Sequence, residues 1–373
     1  MGKNFSQHVL NVFANHKTTY EQISQLMKDV ALGREIYDEA TGRVITKSEA
    51  NEKIHAFSCE VLGITKDMSK KEMRRALRDH GREWFDIIED TVDEYISVGF
   101  DGNEWFNDLV ESKNIAYGDR QDFIADKDTI LAIAKMGESH HDHILQRVGK
   151  NAPISIPTAR YGVKIGEDIN KYIIGQTQWT DMVAAIAKAF IKLIQQLVYA
   201  EVSNLSSKLP AATVGSGALS STPAIKQAFD DIIEAVSAAN DGADVIIMGT
   251  KNALKKITAL ADVQWAAKEQ RDSVAQTGTI GIYEGTRLVE IPQRFEDKTL
   301  TTKLMSDKKL VFLAVGSGDK PIKFIDEGDT EITEVTDKGE AGGRWDDLMS
   351  YEVQRRLGVG TVLGRVMGEW TLP

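Results

Sequence analysis

Two β-like runs, TILAIAKM (129–136) and ISIPTARYGVKIG (154–166), bracket the turn GKNAP and a histidine-rich stretch. The pattern predicts a long hairpin whose tip carries residues 137–152. Pro157 and the basic residues on these runs suit exposed edges rather than a central sheet. Such a two-stranded arm is only marginally stable by itself and needs a surface to lie on. Few folds tolerate this, and a chain that has one is built to be completed by something else.

The tip invites a chemical reading. In GESHHDH (137–143), Glu138, His140, Asp142 and His143 follow the H-x-H-x-D-H order of the metallo-β-lactamase superfamily, with Glu replacing the first His. That arrangement activates water on zinc. Such an enzyme also needs histidines further downstream. The seven here are His8, His16, His55, His80, His140, His141 and His143, and none follows residue 143. A zinc-dependent hydrolase using GESHHDH stays as the rival reading. The favoured one is a solvated, polar hairpin tip, with no catalytic, metal-binding or cofactor-binding residues.

Other signals are weaker. A net charge of −11 argues against a broad nucleic-acid-binding surface and leaves only local, weak contact with DNA. Cys59 is the single cysteine, which excludes an internal disulfide, and it reads as a small core residue. MGKNFSQHVLNVF lacks the apolar core of an export signal. MVAAIAKAFIKLIQQLVYA (182–200) is the most membrane-like run, but Asp181, Lys188, Lys192 and Gln195 draw one polar stripe along it, so a soluble amphipathic helix is expected. VGSGDKP (315–321) reads as a hairpin turn, since Pro321 stands where a phosphate-binding helix would begin. The glycines of GVGTVLG (358–364) suit close packing. The acids of DIIEDTVDE (86–94) read as a solvated helix face rather than an acid/base pair.

Along the chain, residues 1–68 look helical with a break at EATGRVI (39–45). SKKE (69–72) is a capping box that opens an amphipathic helix carrying Met73, Leu77, Trp84, Ile88, Val92 and Ile96, expected to end at Gly99. A helix over 177–205 would span on the order of 43 Å, with Val183, Ile186, Phe190, Leu193, Leu197 and Ala200 on its buried face. SSKLPAATVGSGALSST (206–222) is a linker, and Thr222 with Pro223 starts a helix that NDG (240–242) stops. ADVIIMG (243–249) is a buried strand followed by the helix KNALKKITAL. Strands fill most of the remainder, so the class is α+β.

This order of parts resembles the major capsid protein of tailed bacteriophages, the Hong Kong phage-type fold shared with encapsulin shells. The local likeness is carried by ADVIIMGTKNALKKITAL (243–260), GTIGIYEGTRLVEIP (278–292), the strands of KLVFLAVGSGDKPIKFIDEGDTEITEV, which the likeness pairs with each other, and the closing YEVQRRLGVGTVLGRV. The resemblance implies an N-terminal helical arm (1–68), a helix leading to the peripheral domain (69–118), an extended loop (119–167), a peripheral-domain spine helix (168–208), an axial domain (209–320) and closing peripheral strands (321–373). It implies a non-catalytic major capsid protein that assembles from hexamers and pentamers into an icosahedral shell around double-stranded DNA. An encapsulin-type compartment is the alternative within the same fold. Implied partners are further copies of the chain, a portal protein, decoration proteins and the packaged DNA, with no membrane; scaffolding comes either from a separate protein or from the N-terminal arm. Implied location is the virion, after assembly in the host cytoplasm. Some relatives cross-link lysine to asparagine; Lys135, Lys150 and Lys164 lie in the arm, yet hydrogen-bonded or ionic contacts are expected.

Overall fold

The computed structural model describes residues 5–16, 18–37, 43–65, 67–101, 104–124, 153–168, 171, 176–204, 209–260, 280–295, 299–315, 320–335, 348–362 and 366–373. The chain forms two units. The first comprises Met1–Gly102, Ala159–Ile194 and Glu327–Leu357; the second comprises Asn103–Thr158, Gln195–Asp326 and Gly358–Pro373.

The first unit is led by helices. α1 (Gln7–His16), α2 (Tyr20–Leu32) and α3 (Lys47–Val61) pack with α4 (Lys70–Asp101). A short antiparallel pair, β1 (Ile36–Tyr37) and β2 (Val44–Ile45), fills the expected break. Reciprocal capping boxes start α2 at Thr19/Gln22 and α3 at Thr46/Glu49. The box at Ser69/Glu72 is present too: the Glu72 carboxylate accepts from the Ser69 amide and hydroxyl, both at 2.8 Å. That backbone hydrogen bond, followed by the hydroxyl's, holds the Glu72 pKa below its ordinary value. α4 does not end at Gly99. Ile191 packs so closely there that a Cβ would lie 2.5 Å from its Cδ1, so the glycine serves a close helix approach.

α6 (Trp179–Asn204) is the long helix, and its turns through Ile194 belong to the first unit. A ring series runs Phe13–Phe57–Trp84–Trp179, with centroids 5.3, 6.3 and 5.8 Å apart. Trp179 donates from Nε1 to Ser58 Oγ (3.1 Å), and Thr180 donates to Asn51 Oδ1 (2.8 Å). The sequence misassigns the far half of α6. Beyond Phe190 the buried apolar residues are Ile191, Ile194, Val198, Tyr199 and Val202, while Leu193 and Leu197 are half-buried and Ala200 is exposed. Steps of four, rather than alternating three and four, rotate the stripe and bury Gln195, which was expected on the polar face. α6 is long and apolar enough to cross a membrane, with mean hydropathy 1.4, yet 56% of that window is buried inside the protein, as in a core helix.

The second unit holds α5 (Glu104–Leu109), β3 (Val110–Ile115) and a six-stranded mixed sheet. Its order is β7 (Val214–Ser216), β14 (Gly368–Thr371), β11 (Lys309–Ala314), β8 (Val245–Gly249), β10 (Thr286–Glu290), β9 (Ile282–Tyr283). β8 lies parallel to β10 and antiparallel to β11, and all five of its residues are buried. That explains its unbroken apolar run. α7 (Pro223–Ala238) and α8 (Lys251–Lys255) cover the sheet, with Phe229 packed against Tyr283, Phe312 and Trp370. The NDG stop works through Asp241 and Gly242, both at positive φ. At Gly215 a Cβ would lie 2.5 Å from the Trp370 ring and 2.7 Å from Ile232.

A second sheet runs β3-β12-β13-β6, where β6 is Ala159–Asp168, β12 is Ile322–Val335 and β13 is Leu348–Thr361. Two expectations change here. Residues 154–166 are not one hairpin strand: the chain breaks at Pro157, and β6 pairs antiparallel with β13 from Ala159↔Leu357 to Asp168↔Leu348. It lies at the sheet's edge, as its basic residues suggest. VGSGDKP is not a hairpin turn either. β11 is already flanked by β14 and β8, so the chain crosses to another sheet before β12 begins, and the two strands that the resemblance paired are not partners.

Candidate functional site

The root of the arm is an antiparallel pair, β4 (Asp122–Phe123) with β5 (Ile154–Ser155), in the register Phe123↔Ile154. Phe123 and Ile156 join Ile325 and Val362 in a small buried cluster. Lys323, 2% exposed, lies 5.6 Å from the Phe123 ring centroid and pairs with Glu111 at 2.5 Å. Glycine spacing in β13 serves this root: Gly358 meets Pro157 and Gly360 meets Ile156. One side of the root stays in water, with Tyr117, Ile124 and Ile154 exposed. Residues 125–152 lie outside the described residues. With them go the strand expected at 129–136, the candidate ligands Glu138, His140, Asp142 and His143, and Lys135 and Lys150; Lys164 is on β6. Among the described residues, no group of three or more His, Cys, Asp or Glu side chains is placed to hold a metal.

The acids of 86–94 form neither a solvated face nor an acid/base pair. Glu89 accepts from the Ile332 amide (2.7 Å), and Asp93 accepts from the Thr330 amide (3.2 Å) and hydroxyl (2.5 Å). Arg355 donates to Asp93 and, at 3.0 Å, to Thr330 Oγ1. Glu89 and Asp93 are one helical turn apart, while Thr330 and Ile332 present their amides on one side of β12. Two carboxylates thus satisfy strand amides as a neighbouring strand would. Further along α4, Asp90 and the Asp86 carbonyl accept from Tyr20, and Glu94 pairs with the nearly buried Lys28 at 2.8 Å. Burial, and then the bond to Asp90, push the Tyr20 hydroxyl far above its ordinary pKa. These bonds tie α4 to α2 and to β12.

A comparable tie exists in the second unit. Thr250, the N-cap of α8, donates to Asp307 Oδ1 at 2.8 Å, joined by Asn252, Gln293 and Lys303. Burial opposes ionisation of Asp307, but the four donors, Lys303 foremost, outweigh it and bring the pKa from 3.8 to about 2. Gln293 also bridges the loop, giving to the Met305 carbonyl (2.6 Å) and accepting from its amide (3.1 Å). Lys251 follows this cap and is exposed. Cys59 is half-buried on α3, 3.8 Å from His55, rather than in the core.

Residues 22–371 match the family described as "SPbeta prophage-derived putative capsid protein YonB". The chain belongs to this family. It is a capsid protein with a major shell role, a component of a multi-subunit shell and of the virion. Its role is structural. Among solved structures, the capsid subunit is similar to the mature capsid of bacteriophage PhiM1, with 11% identity, 72% of this chain and 87% of that chain covered, and TM-score 0.48. It is also similar to Microbacterium phage Oxtober96, with 10% identity, coverage of 73% and 91%, and TM-score 0.47. A virus-like particle from Pyrococcus furiosus shows 13% identity, coverage of 77% and 99%, and TM-score 0.40. No curated protein matches the capsid subunit.

Proposed function

We propose that the chain is the repeating subunit of a closed icosahedral shell, built from hexamers and pentamers, that encloses double-stranded DNA without catalysing a reaction. The observation that carries this reading is the capsid-family match across residues 22–371. Residues 119–158 act as an extended loop reaching over a neighbouring copy. Residues 168–208 and 321–357, with β6, build the peripheral domain, with 69–118 leading into it, and 209–320, completed by β14, form the axial domain that meets its copies around the symmetry axes. Many modest interfaces then add up through symmetry. Residues 1–68 stay in the mature subunit, and a separate scaffolding protein guides assembly in the host cytoplasm. A portal occupies one vertex, decoration proteins bind outside, and contacts between copies are hydrogen-bonded or ionic.

Electron microscopy of the chain expressed alone tests the assembly. Shells, tubes or capsomers are the expected result, and a monodisperse monomer at every concentration and salt would refute it. In particles from the native source, packaged duplex DNA and one unique vertex are expected; an enzyme cargo with neither would make the shell a compartment of the encapsulin type.

A further inference from the structure

Among the described residues, exposed charge without an ion-pair partner in the six-stranded sheet of the second unit gathers by sign at the two strand ends; Arg287, near the start of β8, is held by Asp108. β8 covers about 17 Å over its five residues. Just beyond its C-terminal end come Lys251, Lys255 and Lys256 of α8 and the turn that follows. The register places two more cations at this end. Leu310 pairs with Gly249, which brings Lys308 here, and the Ile291 amide donates to the Gly249 carbonyl, which brings Arg294 here. All five are exposed, and none forms an ion pair with a described residue. Among the described residues, the carboxylates nearby are otherwise engaged, Asp307 by its four donors and Glu369 by Lys309, leaving Glu290 as the exposed acid. The opposite end of β8 begins with Asp241 and Asp244, and the C-terminal half of α7 that leads into it exposes Asp231 and Glu234. These four acids also lack a described ion-pair partner.

Copies arranged head to tail around an axis meet through two different surfaces of the same chain, and opposite charge on the two surfaces fixes which meets which. We infer that ring contacts between copies join the basic end of this sheet in one subunit to the acidic end of the sheet in the next. The inference rests on the shell reading proposed above and names the surfaces that make it work. A second copy fits better than nucleic acid because the chain carries its own complement to these cations, and its net charge of −11 repels a polyanion elsewhere.

Full-length chains with either end reversed test this, with circular dichroism confirming that each folds. K251E/K255E/K256E is expected to raise the protein concentration for half-assembly by about tenfold or more, and D231K/E234K/D244K to do the same. A chain carrying both sets assembles like the wild type. An equal mixture of the two single-end variants forms six-fold rings, in which they alternate, but not five-fold rings, where an odd count prevents alternation. Assembly of the lysine variant at wild-type concentration and salt dependence overturns the inference and leaves the shell reading intact. So does normal assembly combined with lost binding to a short DNA duplex, which would assign the lysines to nucleic acid. Failure of the wild type to assemble at all would instead remove the shell reading.

Discussion

Replacing Asp93 with alanine tests the carboxylate tie between α4 and β12. The Arg355 side chain is 7% exposed and the Asp93 side chain 24%, so the pair is largely withdrawn from water. Removing one partner from a buried pair costs about 3–5 kcal/mol, because the other charge stays buried without compensation. Here Arg355 keeps Thr330 Oγ1 and the aspartate is partly wet, which places the loss near the low end, about 3 kcal/mol. Amide exchange across β12 reads it directly. Thr330 is expected to lose roughly a hundredfold in protection, since about 1.4 kcal/mol is a factor of ten. Glu89→Ala removes the acceptor of the Ile332 amide and should cost about 1 kcal/mol or more, at least a roughly fivefold loss at that residue. Adding Arg355→Met to Asp93→Ala removes the cation that has lost this carboxylate, so the double variant is more stable than the two separate losses predict. Unchanged protection at Thr330, or strict additivity with Arg355→Met, would show that the tie contributes nothing and that the tie seen here is incidental.

Three further outcomes are expected. Asp307→Asn is destabilising at pH 7: the displacement of its pKa from 3.8 to about 2 corresponds to roughly 2.5 kcal/mol, reduced by solvent screening to on the order of 1 kcal/mol. Because the folded pKa is the lower one, this stability is full above pH 4 and fades as pH falls towards 2, so denaturation curves of the two proteins should converge there. Gly215→Ala drives a methyl into the Trp370 ring and Ile232 and should cost about 1–3 kcal/mol, visible as a lower Tm and altered tryptophan fluorescence; an unchanged Tm would mean that the site is roomier than its geometry. Deleting residues 1–64 should abolish folding, because Val9, Phe13, Ile23, Met27, Ile54, Phe57 and Val61 are each buried and contribute about 1.5–3 kcal/mol apiece, against a net stability of about 5–15 kcal/mol. Recovery of the truncated chain as a soluble protein with a cooperative melt would contradict that.

Periodicity carried most of the helices and the strand β8, since their apolar stripes are long and their ends are marked by Ser69/Glu72, Thr222–Pro223 and Asp241–Gly242. It failed where burial changes along an element. In α6 the stripe drifts by one residue after Phe190, so Gln195 went to the wrong face. Strand partners were also illegible, because a run such as 159–168 does not state which neighbour it will take. The carboxylate ties did leave one trace. In β13, Val353, Arg355 and Leu357 share a phase and are all buried, so an arginine at an inward position announces a carboxylate waiting for it. The clustered acids on α4 look like an ordinary wet helix face until the cation on a strand more than 250 residues away is counted.

The same accounting applies to the N-terminal helices. Whether they act as a temporary guide for assembly or as part of the finished subunit is a question about what their departure would uncover. Trp84 and Ile88 are fully buried and Trp179 is 4% exposed. The rings of Phe13 and Phe57 lead directly to those tryptophans. Ser58 is the acceptor for the Trp179 indole and Asn51 the acceptor for Thr180, so the first turn of α6 hydrogen-bonds to α3. A segment shed during maturation must leave a surface that water tolerates, and this one would leave two indoles and an apolar helix face bare, together with donors that have lost their acceptors. A disposable tail is built the other way round, with its contacts polar and few. The chemistry of α1 to α3 is that of a core.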